Sequence, residues 1–230
     1  MSESKHLIVG LGEIGKPIFK ILSEVCDVES FDQLDRGFNN PSKSFDAIHI
    51  CFGHKKDEVE DFKKWVRDYQ KEFLKEGGLT IIHSTTAVGV SKALEAVHSP
   101  VRGMHPNMEE GIRTFVKFFG GERASEAAEY FRRAGLKIML FDTSETTEAM
   151  KLFDTEYYHT VIKFCQRVKK YCDEHDLNFS DVYRLANITY NQGYIELGHS
   201  EYVRPVLEPI KGPIKGHCVV SNSKLIALSE

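Results

Sequence analysis

A chain of 230 residues, 41% hydrophobic and 28% charged, has the composition of a globular protein with one large domain or two small ones. No apolar run approaches the roughly 20 residues of a bilayer-spanning helix, and the apolar segment after His6 is too short for a secretory signal, so a cytoplasmic protein with no membrane partner is expected. A formal charge of -4 leaves no electrostatic footprint for nucleic acid, and Lys163, Arg167, Lys169 and Lys170 read as one solvated helix face.

In chain order, residues 5 to 10 form a short apolar run suited to a strand buried on both faces of a parallel sheet. Ile14, Ile18, Ile21, Leu22 and Val25 then recur at helical spacing, and a second strand near Val28 to Phe31 ends at Asp32. Residues 33 to 44 carry turn residues and read as loop. A third strand covers Ala47 to Phe52. A charged helix follows from about Asp57 to Lys75, with Val59, Phe62, Val66, Tyr69 and Phe73 on one side and Gly77-Gly78 stopping it. Next come a strand from Leu79 to His83, a loop at Ser84-Thr85-Thr86 and a helix from Ser91 to Val97. Short strands are expected near Val101 to Gly103 and Lys117 to Phe119, a helix from Ser125 to Ala134 and a strand from Lys137 to Phe141.

The alternation then stops. From Ser144 to about Glu174, Ala149, Phe153, Tyr157, Val161, Phe164, Val168 and Cys172 step by three or four. A helix of that length often packs against another subunit, so a homodimer through it is expected. A shorter helix begins after Ser180, a reasonable N-cap, and the tail from Pro205 to Lys215 is rich in proline, glycine and lysine. The five cysteines are scattered without a CxxC pair. They give neither a disulfide framework nor a zinc site, so no metal is expected, and Cys26, Cys51, Cys165 and Cys172 read as small buried hydrophobes.

The turn Gly10-Leu11-Gly12-Glu13-Ile14-Gly15 has the context that a G-x-G-x-x-G match requires: a strand before it, a helix after it, and Asp32 closing the next strand about 20 residues on. Gly10 permits the tight turn, Gly12 lets backbone approach a pyrophosphate, and Gly15 allows close packing of helix on strand. Phosphate oxygens would sit at the helix N-terminus, where N–H groups and the dipole favour negative charge. Asp32 would accept hydrogen bonds from ribose hydroxyls and repel a 2′-phosphate, which favours NAD over NADP, although Arg36 could accommodate that phosphate. S-adenosylmethionine, bound by a similar turn and acid in other proteins, ranks below NAD. The expected fold is therefore α/β: a Rossmann doubly wound, mainly parallel sheet over residues 1–143, followed by a smaller all-helical substrate and dimerisation domain over 144–230.

Three further stretches resemble the nucleotide-sugar dehydrogenase family, of which UDP-glucose dehydrogenase is a member, within the wider 6-phosphogluconate dehydrogenase-like superfamily. His83-Ser84-Thr85-Thr86-Ala87-Val88-Gly89-Val90 is similar to E-S-T-V-x-x-G-T, and Glu148-Ala149-Met150-Lys151-Leu152 to A-E-x-x-K. Gly212-Pro213-Ile214-Lys215-Gly216-His217-Cys218-Val219-Val220 is similar to G-x-G-x-G-G-H-C-I-P. The resemblance implies oxidation of an alcohol by hydride transfer to NAD, in two rounds through a thioester. Cys218 would be the nucleophile, activated by His217, Lys215 and Lys211. Lys151 would stabilise oxyanions on a small-molecule substrate, Thr85 would position a water or the substrate oxygen, and Ser84 would line the cofactor site with Glu13 and Ile14.

Against the family pattern, Thr155 stands for an asparagine, Asn222 for a water-activating aspartate, and Asn107 for the first glutamate of the P-E loop, with Glu110 available as a substitute. An amide is no general base, which puts thioester hydrolysis in question. The chain also ends about a dozen residues beyond Cys218, short of the family's third domain. The substrate is then smaller, or another chain supplies that part, or activity has been lost and the chain is an accessory or regulatory dinucleotide-binding protein. Gly103-Met104-His105-Pro106 is similar also to prephenate dehydrogenases; there a single hydride transfer would occur, with His105 as substrate ligand or acid–base group.

Overall fold

The computed structural model describes residues 4–32, 41–103, 106–210 and 225–226. They fall in two compact units, one running to Leu152 and including Leu225 and Ile226, the other beginning at Phe153.

The first unit is built on a seven-stranded sheet of order β2-β1-β3-β4-β5-β6-β7, formed by β1 (Lys5–Val9), β2 (Asp27–Phe31), β3 (Phe45–Ile50), β4 (Leu74–Ile82), β5 (Val97–His98), β6 (Lys117–Gly120) and β7 (Ile138–Phe141). Neighbours pair in parallel except β5 with β6. Alternate residues of β1, β3 and β4 enter opposite cores, as period-2 side chains must. Ile8, Ala47, Ile81, Val97 and Phe119 pack with Ile18, Ile21 and Leu22 of α1 (Gly15–Leu22) and with Ala127, Ala128 and Phe131 of α5 (Ala124–Arg133). On the other face Leu7, Val9, Ile48, Ile50 and Ile82 pack with Phe62, Val66, Tyr69 and Phe73 of α2 (Val59–Phe73). Each Val, Leu, Ile or Phe among them, fully buried, contributes about 1.5–3 kcal/mol. Helices on both faces of a mainly parallel sheet make this the doubly wound fold that the alternation predicts.

The chain leaves β1 for β2 on one side and returns to β3 on the other. The strand order therefore reverses between β1 and β3, where doubly wound sheets open a crevice at their carboxyl edge. The glycine turn follows β1 directly at this place.

Four local expectations need correction. Gly77-Gly78 does not stop α2, which ends at Phe73; Leu74 already pairs with Phe45, and the register resumes only at Ala47 with Leu79, so the glycines lie in an irregular stretch of β4. The helix expected from Ser91 to Val97 is the short α3 (Val90–Ala93), closed by Glu95 at φ 52° with Glu95 N–H bonded to Lys92 O and Ala96 N–H to Ser91 O. That is a Schellman ending with glutamate where glycine is usual, which is why composition did not reveal it. Val101 to Gly103 form no strand; Val97 and His98 do. Finally, the P-E loop region contains a helix, α4 (Met108–Thr114), in which Gly111 approaches Gly103 so closely that a Cβ on it would stand 2.5 Å from the Gly103 Cα.

α6 (Ser144–Glu174) has the expected length, its first turns in the first unit and the rest in the second. After it, a π-type turn over Ser180–Leu185 leads into α7 (Ala186–Glu196). The buried residues of the second unit include Cys165, Cys172 and Tyr183, while Phe153, Tyr157, Ile195 and Leu197 are exposed. Cys26 and Cys51 are buried as well, as expected of structural thiols. Lys169 and Lys170 pair along α6 with Asp173 and Glu174, the solvated arrangement the charge run predicts.

Candidate functional site

Gly10 adopts φ 92° and donates its N–H to Phe31 O at 2.8 Å, which ties the turn to the end of β2. A Cβ on Gly15 would stand 1.8 Å from the Gly10 carbonyl oxygen, so only glycine lets α1 start this close to β1. A Cβ on Gly12 would meet no heavy atom within 4 Å. The same motif thus contains one glycine needed for packing and one whose open side meets none of the described residues. Among the described residues no side-chain hydrogen bond caps the N-terminus of α1 and no acid occupies its first turn, and the helix dipole there favours negative charge. Asp32 turns toward this turn, its Oδ2 accepting the Leu11 N–H at 2.7 Å. Glu13 is exposed and Ile14 half-buried at the start of α1.

At the same carboxyl edge, with the end of β3 between, lies the loop after β4. Ser84 is buried and its hydroxyl donates to Phe52 O at 2.6 Å, joining the ends of β3 and β4. Thr85 is half-buried. Thr86 is buried, its Oγ1 2.9 Å from His54 Nε2. His54 Nδ1 meets the Lys55 carbonyl at 2.9 Å, so it carries the hydrogen and Nε2 accepts from the threonine.

Two buried side chains, neither singled out by spacing, fasten this loop to α6. Glu148 is fully buried and accepts the N–H groups of Gly89 at 2.6 Å and Ser91 at 2.8 Å. Burial pushes its pKa up while these bonds pull it down, and burial dominates. His98 places Nε2 3.3 Å from Ser84 O and Nδ1 2.9 Å from Thr147 Oγ1. Since a carbonyl only accepts, Nε2 bears the hydrogen; burial drives this ring's pKa down to about 3, and it stays neutral. Thr147 precedes Lys151 by one helical turn, so His98 brings Ser84 and Lys151 to the same edge of the sheet. Lys151 is half-buried and donates to Val101 O at 2.9 Å. The glutamate of the A-E-x-x-K resemblance thus organises the loop, and its lysine faces the segment after β5.

Of the other expected site residues, Asn107 is exposed just before α4 and Glu110 is exposed in its first turn. Thr155 is buried and belongs to the second unit. Cys218, His105 and Asn222 lie outside the described residues, as do Arg36, Lys211, Lys215 and His217. Among the described residues no group of three or more His, Cys, Asp or Glu is placed to hold a metal ion, and no helix is long and apolar enough to cross a membrane.

No family model and no curated protein matches the chain. Solved structures do. The UDP-D-ManNAc dehydrogenase of Pyrococcus horikoshii superimposes with a TM-score of 0.78 at 18% identity, over 96% of this chain and 63% of that one. The UDP-N-acetyl-mannosamine dehydrogenase Cap5O of Staphylococcus aureus gives 0.72 at 21% identity, over 97% of this chain and 66% of that one. The 3-hydroxyisobutyrate dehydrogenase of Mycobacterium tuberculosis gives 0.61 at 14% identity, over 80% and 69%. The chain therefore has the fold of the nucleotide-sugar dehydrogenases that its motifs resemble, and spans less than two thirds of the first of these structures.

Proposed function

We propose that the chain is an NAD-dependent oxidoreductase that oxidises an alcohol or sugar derivative by hydride transfer. The observation that carries this reading is the turn itself: open space over Gly12, an uncapped helix N-terminus, and Asp32 held beside it by the Leu11 N–H. These are the donors, the clearance and the carboxylate that a dinucleotide requires. The backbone from Gly10 to Gly15 would hold the pyrophosphate, and Asp32 the adenosine ribose, with a 2′-phosphate disfavoured beside its charge. The nicotinamide, when bound, supplies a hydride acceptor that no side chain provides. Ser84 and Thr85 then border the reacting end, and the Lys151 ammonium, at the same edge, stabilises negative charge developing on the substrate oxygen. Cys218 is assigned the nucleophile's part in a second oxidation.

Turnover with NAD tests this. Nucleotide sugars and small 3-hydroxy acids are offered with NAD, and NADH absorbance is followed. Formation of NADH is expected with at least one of them, at two equivalents per substrate if Cys218 carries a thioester and at one in Cys218→Ser. Failure of every alcohol to reduce NAD, in protein that binds the dinucleotide, would replace the enzyme with an accessory binding protein.

A further inference from the structure

Three histidines occupy related places in neighbouring strands. His6 pairs in register with Ala47, and His49 with Ile81. His49 therefore stands two residues past the partner of His6, and His83 two past the partner of His49. Steps of two keep all three side chains on one sheet face, at the diagonal spacing that rings can bridge. The row climbs obliquely from the start of β1 to the carboxyl end of β4, next to Ser84.

The rings are at most 1% exposed and are joined nitrogen to nitrogen. His6 Nδ1 lies 2.9 Å from His49 Nε2, and His49 Nδ1 lies 3.0 Å from His83 Nε2. At the outer end His6 Nε2 is 3.1 Å from Ser4 Oγ, itself 3.3 Å from the Tyr130 hydroxyl, and both Ser4 and Tyr130 are half-buried. At the inner end His83 Nδ1 is 2.9 Å from Ser99 O and 3.4 Å from the amine of Lys117, which also lies 3.1 Å from Ser99 O. Lys117 is buried in β6, its Nζ 5.5 Å and 5.3 Å from the ring centroids of Phe119 and Phe131.

One proton is shared across each ring-to-ring contact, so neutral imidazoles must choose their tautomers together. With Lys117 neutral, His83 donates Nδ1–H to the Ser99 carbonyl. His83 Nε2 is then bare and accepts from His49 Nδ1–H, whose Nε2 in turn accepts from His6 Nδ1–H. With Lys117 an ammonium, it donates to Ser99 O and to His83 Nδ1. Every ring then carries its hydrogen on Nε2, and His6 donates outward to Ser4.

We propose that Ser4, His6, His49 and His83 form a proton wire through the sheet that loads and unloads the buried amine of Lys117, the three imidazoles reversing tautomer together at each transfer. In loading, a solvent proton reaches His6 Nε2 by way of Ser4. His6 passes its Nδ1 proton to His49 Nε2, His49 passes its own to His83 Nε2, and His83 gives its Nδ1 proton to Lys117 Nζ. One proton enters and one arrives, and each ring is neutral before and after.

The surroundings suit both tasks. Burial, assisted by Lys151 and Arg102, brings Lys117 down to about 7, where both charge states are accessible. The Cys51 thiol is itself pushed up to about 12 by burial and stays neutral. Burial lowers His6 to about 4, against Asp46 and with Arg133; it also holds His49, which faces His6, His83 and Lys117, well below the usual histidine value. His83 is also held far below its usual value by burial, with Lys117 and His98 adding to the effect. Rings this reluctant to hold a charge relay a proton without trapping it.

Nitrogen NMR of the imidazoles at about pH 6 and about pH 8.5, either side of the Lys117 transition, tests the wire. In the full chain all three rings are expected to exchange their bare and protonated nitrogens with one shared midpoint near that of Lys117. In Lys117→Met all three stay Nδ1-protonated throughout. In His49→Leu, His83 still switches with Lys117 while His6 no longer does; His49→Gln, whose amide bonds but cannot relay a proton, gives the same result should the leucine variant not fold. Rings that switch at separate pH values, tautomers that persist through the Lys117 transition, or a His6 that still follows Lys117 in the His49 variants would overturn the proposal.

Discussion

Gly15→Ala is expected to destabilise the first unit by about 3 kcal/mol or more, whereas Gly12→Ala leaves stability within about 0.5 kcal/mol and weakens dinucleotide binding instead. The two substitutions add the same methyl group to the same turn, and only their surroundings differ. At position 15 the new atom would lie 1.8 Å from the Gly10 oxygen and 3.3 Å from the Cys51 Cβ, so either α1 or the carboxyl end of β1 must move. Backbone contacts cannot swing aside as a flexible side chain would, and overpacking of this kind is paid for by the whole packed layer. At position 12 none of the described residues stands within 4 Å, and the methyl group instead occupies the space proposed for the pyrophosphate. Urea unfolding and dinucleotide titration on both variants separate the effects; equal stability loss in the two would show that the turn is not packed as described.

Lys117→Met is expected to make the chain more stable at pH 7 and to remove a rise in stability that the unaltered chain shows toward alkaline pH. Lys117 releases its proton at about 7 in the folded chain and at about 10.5 once exposed. Between these values the unfolded state binds a proton that the folded state does not, so stability increases with pH by about 1.4 kcal/mol per unit from this group. Below pH 7 the amine is charged in both states and its burial cost is constant, on the order of a few kcal/mol. Methionine, close in length and without charge, removes that cost. The buried histidines act in the same sense at lower pH. His6 falls from 6.5 to about 4 and His98 to about 3 on folding, with His49 and His83 also held neutral. Their stabilisation is complete above about pH 6.5 and is lost as the pH falls toward their folded values, four groups amounting to about 5 kcal/mol per unit at most. Urea unfolding of both chains at several pH values reads the difference directly. Parallel curves between pH 7 and 10 would mean that Lys117 is not held neutral by burial.

The parts of this fold that were legible in the sequence are those set by strong local patterns. Leu7-Ile8-Val9 and the stretch around Ile81-Ile82 announce buried strands because both faces of a parallel sheet are covered, and the positions from Ala149 to Cys172 at helical spacing mark one long helix. The glycine turn was legible because Gly10 and Gly15 answer steric demands, Gly12 completes the spacing, and Asp32 follows at the distance of a β–α–β unit. What was missed depends on tertiary contact. α4 has seven residues and a central glycine, and only the approach of Gly111 to Gly103 explains it. Glu95 ends α3 in a conformation composition does not suggest. Glu148 reads as an ordinary helix acid until Gly89 and Ser91 are seen to donate to it. The histidine row was present as single histidines in three strand segments, but its continuity depends on strand order and register, which spacing along the chain does not contain.

Calorimetric titration of NAD and NADP into the chain and into Asp32→Ala is the most direct measurement of the cofactor assignment. NAD should bind one per chain, at least tenfold more tightly than NADP, and the substitution should weaken NAD by roughly tenfold, about 1.4 kcal/mol, as expected for hydrogen bonds to a charged carboxylate. If neither dinucleotide binds, or if NAD binds Asp32→Ala as tightly as the unaltered chain, the crevice above β1 and β3 serves another ligand.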